Sequence, residues 1–192
     1  MLSRNGYISD AEWQRFLAYS KKLETPCLVI NLRRIKENYL NLCGAFPYAR
    51  VFYAVKANPE KEVISLLAGL GASFDIASRY ELDLVLSLGI TPDRLSCGNT
   101  IKKAKDVAYF FEKGVRMFAT DSKEDLKNIA AQAPGSRVYV RLLVENTRSA
   151  DWPLSRKFGC HSDMAYDLLD RGQSAERVFS TRRRTYTLEP GA

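Results

Sequence analysis

Residues 51–78, VFYAVKANPEKEVISLLAGLGASFDIAS, hold an apolar run, a turn, an amphipathic stretch and a second apolar run. VFYAV is rich in the residue types that favour strands. EKEVISLLAGLG carries apolar residues at helical spacing and closes on Gly71, the residue type that best tolerates a left-handed helix end. SFDIAS then reads as a strand again. A strand, a helix and a second strand in so few residues make a crossover unit, which sets its two strands parallel.

The unit repeats. Further apolar runs are RLSCG (94–98), RMFATD (116–121) and RVYVRLLV (137–144), and the five runs start 21 to 22 residues apart. Between them lie RYELDLVLSLG, KKAKDVAYFFEKG and SKEDLKNIAAQA, each with helical patterning. This predicts an α/β fold with a parallel sheet covered by helices. A doubly wound sheet usually carries a glycine-rich nucleotide loop after its first strand, and KANPE stands there instead. The uniform period and the polar strand ends favour a (β/α)8 barrel, with its chemistry at the C-terminal ends of the strands. Eight units need roughly 200–250 residues; about five are present.

The domain reading is a lead-in over 1–26, a partial barrel over 27–170 and an irregular tail over 171–192. Within the barrel part, CLVINL (27–32) reads as a strand and RRIKENYLNLCGAF (33–46) as an amphipathic helix; HSDMAYDLLDRG reads as a last helix. Before residue 171 lysine and arginine are equal at twelve each, whereas the tail has five arginines and no lysine. Such a switch suits a disordered tail or out-of-frame translation.

Composition narrows the function. The chain has 192 residues, 46% hydrophobic and 27% charged, as in an ordinary soluble protein. No apolar run is long enough to span a bilayer and MLSRNGYISDAEW lacks the apolar core of a signal peptide, so the expected location is the cytoplasm, with no membrane partner. Four dispersed cysteines and a single histidine, His161, argue against a disulfide framework or a metal site. The net charge of +7 divides into +3 over the tail and +4 over the rest, with no basic face interleaved with aromatics, so nucleic acid is not an expected partner.

Lys56 stands where the first strand ends. A lysine there can simply extend to solvent. In a parallel barrel, however, that position opens on the mouth, to which neighbouring strand ends bring Asp75, Cys97, Asn99, Asp121 and Arg141. An amine held in such a mouth can act as a nucleophile towards an aldehyde and form a Schiff base, which is how pyridoxal phosphate is attached.

FYAVKANP, GASFDIASRYEL, SCGNTIK, GVRMFATDSKEDL, VYVRLLV and SRKFGC occur in this order and spacing. Together, from about Thr25 to Leu169, they resemble the N-terminal barrel of the fold-type III pyridoxal-phosphate decarboxylases, the family acting on ornithine, lysine, arginine and diaminopimelate, and ornithine decarboxylase most of all. The resemblance implies a barrel of the alanine racemase and ornithine decarboxylase type. It implies pyridoxal 5'-phosphate as cofactor and decarboxylation of a basic amino acid in polyamine biosynthesis, most readily ornithine to putrescine. Lys56 matches the cofactor-binding lysine, Asp75 the acidic residue beside it, Arg141 a strand-end arginine near the cofactor, and Glu81 a second acidic group near the site. Plainer roles are open to three of them: Asp75 can cap the next helix, Arg141 can pair with a carboxylate across the mouth, and Glu81 is the weakest match.

The family is homodimeric with shared active sites. Its HVGS-type strand with a histidine, its glycine-rich phosphate loop, its acidic partner for the pyridine nitrogen and its C-terminal β-domain have no counterpart in these residues. The resemblance therefore predicts a truncated form, inactive alone, or a non-catalytic interaction protein resembling the antizyme inhibitors. Short barrel proteins that bind the cofactor without decarboxylation fit the length, but FDIAS and KFG point away from them.

Overall fold

The computed structural model describes residues 8–143 and 158–174. Five short strands, β1 (Phe52–Ala54), β2 (Ser73–Ile76), β3 (Leu95–Cys97), β4 (Met117–Thr120) and β5 (Arg137–Val140), form one sheet in the order β1-β2-β3-β4-β5. Every neighbouring pair is parallel. Helices α3 (Lys61–Gly69), α4 (Arg79–Ser87), α5 (Ala104–Glu112) and α6 (Lys123–Gln132) fill the crossovers, and α1 (Asp10–Ser20) and α2 (Leu32–Ala45) precede β1. The expected five-stranded part of a parallel α/β fold is therefore present.

Strand alternation sorts the sheet into two faces. One face packs on the helices. Phe74 and Ile76, Leu95 and Cys97, and Phe118 are fully buried there among Ile64, Leu67, Leu82, Val107, Phe110 and Ile129 from the helices. The other face is mixed, with Phe52, Ser73, Asp75, Ser96, Met117, Ala119 and Tyr139 along its length. The main core thus lies between sheet and helices, and the inner face is left for a site.

Local signals fix the helix ends. Ser78 accepts a hydrogen bond from the Glu81 amide at the start of α4, and Ser122 does the same for Asp125 at the start of α6. The expected glycine stops are Gly71, Gly89 and Gly114, all at positive φ. At the opposite end of the sheet from the strand C-termini, arginines cap helix carbonyls. Arg94 donates to Ala68 and Ala72, and Arg116 donates to Phe111 with its guanidinium 3.8 Å from that ring. Positive charge there meets helix C-terminal ends.

Three stretches differ from, or lie beyond, the sequence reading. CLVINL forms no strand: Leu32 opens α2 under the Asn31 cap, and residues 27–31 have no sheet neighbour among the described residues, so no ladder can form. At the other edge, Cys160 makes a parallel bridge with Leu142: Cys160 donates to the Arg141 carbonyl at 3.0 Å, and Leu143 donates to the Cys160 carbonyl at 2.8 Å. FGC is thus the start of a sixth strand position, followed by α7 (Ser162–Ser174). That helix runs past residue 170, while the tail expected to be irregular lies, from residue 175 on, outside the described residues.

Gly159 makes this edge contact workable. Its φ is +93°, and a Cβ there would lie 2.8 Å from the carbonyl carbon and oxygen of Leu142 and from the amide nitrogen of Leu143. Its own N–H donates to Asp121 Oδ2 at 2.9 Å. Gly159→Ala is expected to cost about 2–4 kcal/mol, combining a left-handed backbone penalty with overpacking against main chain. The check is urea unfolding, in which the midpoint falls while the slope stays unchanged.

Candidate functional site

The parallel sheet brings the C-terminal end of every strand to one side. β1 ends at Ala54 and passes directly into a 3-10 turn, Val55–Ala57, that carries Lys56. Val55 is buried and anchors the turn, while Lys56 is exposed. The Tyr53 hydroxyl donates to the Asn58 carbonyl at 3.1 Å, and Asn58 Oδ1 accepts from the Glu60 amide at 3.0 Å. Both bonds fall on Asn58 and tie the end of the KAN turn to β1 and to the residues that lead into α3, while buried Val55 anchors its start, and this sets where the lysine stands. Ala54 is the register partner of Asp75, so Lys56 lies two residues beyond Asp75 towards the mouth.

Asp75 is half-buried on the inner face, opposite Ser96 in register. Its carboxylate leans across onto β3. A Cβ built on Gly98 would lie 2.7 Å from Asp75 Cγ and 2.5 Å from Oδ1, so the carboxyl group occupies the space a side chain at 98 would take. Asp75 does not cap α4; Ser78 does. Arg141 follows β5 directly, with its guanidinium carbon 4.8 Å from the centre of the Phe158 ring. An amine, a carboxylate and a guanidinium therefore stand at the same end of one sheet.

Glu81 is placed differently. Its Oε2 accepts the Ala77 amide at 2.7 Å while its own amide donates to Ser78 Oγ at 3.3 Å. This is the reciprocal bonding of a helix start, one residue displaced from the usual capping box. Cys97 also departs from the mouth: alternation turns it to the helix side, where burial pushes its thiol up to about 12. It is a neutral core residue. Asp121 accepts from Gly159, and its charge adds to the effect of burial in raising the Cys160 thiol. His161 is exposed just before α7.

Two features lay outside the residues singled out from sequence. Tyr139, two positions before Arg141 on the same face, reaches across β4 to Ser96, with the two hydroxyl oxygens 2.9 Å apart. Burial first, and then the charge of Asp75, raise the Tyr139 phenol above its ordinary range. The period of two that assigns Arg141 to the mouth also assigns Tyr139 to the inner face, so this signal was present. The second feature is Lys102, whose ammonium donates to the carbonyls of Asn99 and Ala119 and to Asp125 Oδ2 at 2.7–2.8 Å, with side chains only 2% and 7% exposed in the ion pair. Nothing in SCGNTIKK distinguishes that lysine from Lys103.

Among the described residues no group of three or more His, Cys, Asp or Glu is placed to hold a metal, and no helix is long and apolar enough to cross a membrane. An exposed amine on a fixed turn, with a carboxylate and a guanidinium at the same end of the sheet, fits an anionic aldehyde cofactor.

Known proteins are similar to this chain over most of its length. The profile of the family described as "Pyridoxal-dependent decarboxylase, pyridoxal binding domain" matches residues 32–178. A lysine/ornithine decarboxylase of Selenomonas ruminantium is 38% identical over 156 residues, covering 81% of this chain and 39% of that protein. Antizyme inhibitor 2 of Xenopus laevis is 32% identical over 146 residues, covering 76% and 32%. The crystal structure of SrLDC in complex with PLP and cadaverine superposes with a TM-score of 0.79 at 33% identity, covering 97% of this chain and 45% of that one. The chain thus spans less than half the length of each. With the family profile matched over most of its length and its lysine, aspartate and arginine gathered at the strand ends of a parallel sheet, the chain belongs to the pyridoxal-dependent decarboxylases, in their pyridoxal-binding domain.

Proposed function

We propose that this chain supplies the pyridoxal-phosphate-binding part of a decarboxylase of basic amino acids, with ornithine as the preferred substrate and polyamine formation as its role. The observation that carries the proposal is the exposed Lys56 on a turn fixed by Tyr53 and Asn58, at the same sheet end as Asp75 and Arg141. When bound, pyridoxal phosphate supplies an electron sink that allows an amino acid to lose its carboxylate. The chain's own residues attach and orient. Lys56 Nζ is the point of covalent attachment, Asp75 places a carboxylate beside it, and Arg141 brings positive charge for an anionic group. Glu81 contributes by fixing the start of α4 behind Asp75. In this reading the working unit is a homodimer in the cytoplasm, in which the mouth is completed by parts beyond these residues.

A second reading, a non-catalytic interaction protein, is favoured by the likeness to antizyme inhibitor 2. One experiment separates the two. The purified protein is incubated with pyridoxal phosphate, reduced with borohydride and mapped by mass spectrometry, and carbon dioxide release from ornithine and lysine is measured in parallel. Label concentrated on Lys56 with release favouring ornithine is the expected result for the enzyme. Label on Lys56 without release supports the interaction protein, and label spread evenly over exposed lysines overturns the cofactor site.

A further inference from the structure

Gly71, Gly89, Gly114, Gly135 and Gly159 stand at positive φ, where a side chain is strained. Gly98 does not, so its backbone alone gives no reason for a glycine. What it lacks is room. A Cβ at 98 would lie 2.5 Å from Oδ1 and 2.7 Å from Cγ of Asp75, closer than real Cβ atoms approach, because the carboxyl group already fills that space. β2 lies between β1 and β3, with Asp75 level with Ala54 on one side and Ser96 on the other, and the carboxylate leans to the Ser96 side. Lys56 follows β1, on the opposite flank. The charge of Asp75 acts in the same direction: behind burial, it contributes to raising the Cys97 thiol on β3 and the Tyr139 phenol on β5.

The floor of this seat is fixed on both sides. Cys97 is fully buried in the core, and the Asn99 carbonyl accepts from the Lys102 ammonium at 2.8 Å, while that ammonium also binds the Ala119 carbonyl and Asp125. A methyl group added at 98 therefore displaces the side chain above it and leaves the strand in place. The carboxylate of so short a side chain moves by one rotamer change. On its other flank Ala54 offers only a methyl group, so the β1 side is where it finds space.

We propose that Gly98 is a positioning residue for Asp75: its missing side chain seats the carboxylate on the β3 flank of the mouth and keeps it out of a direct ion pair with the Lys56 amine. An amine held in such a pair stays an ammonium, which does not attack an aldehyde. The consequence for catalysis rests on the cofactor reading above, whereas the seat itself is a property of the chain without cofactor. Gly98 thereby acts through Asp75 and touches no reacting atom.

The test is trace acetylation of the whole chain by acetic anhydride across pH, without cofactor, read at Lys56 by mass spectrometry as the fraction of neutral amine. It is applied to the parent, Gly98→Ala, Asp75→Asn and the two substitutions together, each shown to be folded by circular dichroism. Gly98→Ala is expected to raise the Lys56 midpoint by about half a unit, which lowers its acetylation at neutral pH about threefold. Asp75→Asn keeps the size of the side chain and drops its charge, so in that background Gly98→Ala is expected to change nothing. The other charged groups at this end of the sheet are Glu60 and Lys61 at the start of α3, Glu81 at that of α4, Asp121 after β4 and Arg141 after β5. They are common to all four proteins and cancel in the comparison. An unchanged Lys56 midpoint in folded Gly98→Ala overturns the proposal, and so does a rise that persists beside Asp75→Asn, since the strand itself would then have moved. If Gly98→Ala does not fold, Asp75→Glu decides in its place: the longer acid overreaches the seat without altering β3, and a midpoint equal to the parent's overturns the proposal. Because no cofactor is present, failure of Lys56 to take up pyridoxal phosphate leaves this result untouched.

Discussion

Lys56→Ala is expected to remove nearly all specific labelling by pyridoxal phosphate and borohydride while leaving stability unchanged. The lysine is exposed on the Val55–Ala57 turn and stands outside the buried core, so its removal belongs with surface substitutions, within about 0.5 kcal/mol of the parent. Val55, Tyr53 and Asn58 hold the turn, and the substitution touches none of them. Lys56→Arg is expected to fail equally: a guanidinium keeps the positive charge but stays protonated and offers no free amine. Lys61→Ala, at the start of the next helix and also exposed, is the matched control and is expected to label as the parent does. The readout is the labelled fraction at each lysine by peptide mapping, alongside the unfolding temperature. Retention of more than about half of the specific label in Lys56→Ala would place the attachment elsewhere, because Schiff-base chemistry needs this amine in its neutral form.

The division between what the residues disclosed and what required coordinates follows physical lines. The five strands and their parallel order were legible because apolar runs recur at 21–22 residues with glycine-closed helices between them, and only crossover units repeat in that way. Asp75 and Arg141 were legible as strand-end polar residues. CLVINL was misread because a strand exists only with a partner: its composition is strand-like, but the described sheet offers residues 27–31 no neighbour. The reverse happened at FGC, too short to show a period, where Gly159 lets the chain approach the main chain of Leu142. Cys97 was assigned to the mouth by its place at a strand end, whereas alternation decides facing, and Ser96 and Gly98 hold the inner positions. For Glu81 the sequence does not distinguish a capping glutamate from a site one, and the coordinates add that its carboxylate accepts the Ala77 amide at the start of α4.

The two lysines of the strand-end loops show the same limit, and they lead to the largest stability effect expected in this chain. Lys56 and Lys102 both follow a strand, yet one is exposed and the other donates all three ammonium protons to Asn99, Ala119 and Asp125. Lys102 thereby ties the β3–α5 loop, which carries Gly98, to the end of β4 and the start of α6. Lys102→Met is expected to destabilise the fold by about 3–5 kcal/mol at neutral pH, because it leaves a buried carboxylate without its cation. The pH dependence identifies the cause. Burial holds the Asp125 carboxyl above its usual range even against the pull of Lys102. A raised folded-state value means that the folded chain binds the proton more tightly than the unfolded one. The contribution of this group to stability is therefore greatest below the unfolded value of about 3.9, and it falls as pH rises through the window up to the folded value. Without Lys102 the folded value rises further and the window widens upward. The stability gap between parent and Lys102→Met is thus expected to be largest at neutral pH and to narrow on acidification, as Asp125 becomes protonated in both. Lys102→Met combined with Asp125→Leu removes the unpaired charge and is expected to recover much of the loss, though not all, since the Asn99 and Ala119 carbonyls still lack their donor. Urea unfolding of the parent and the two variants at several pH values reads all of this. A gap in Lys102→Met that stays constant with pH would assign the loss to packing of the lysine stem instead of to the unpaired carboxylate.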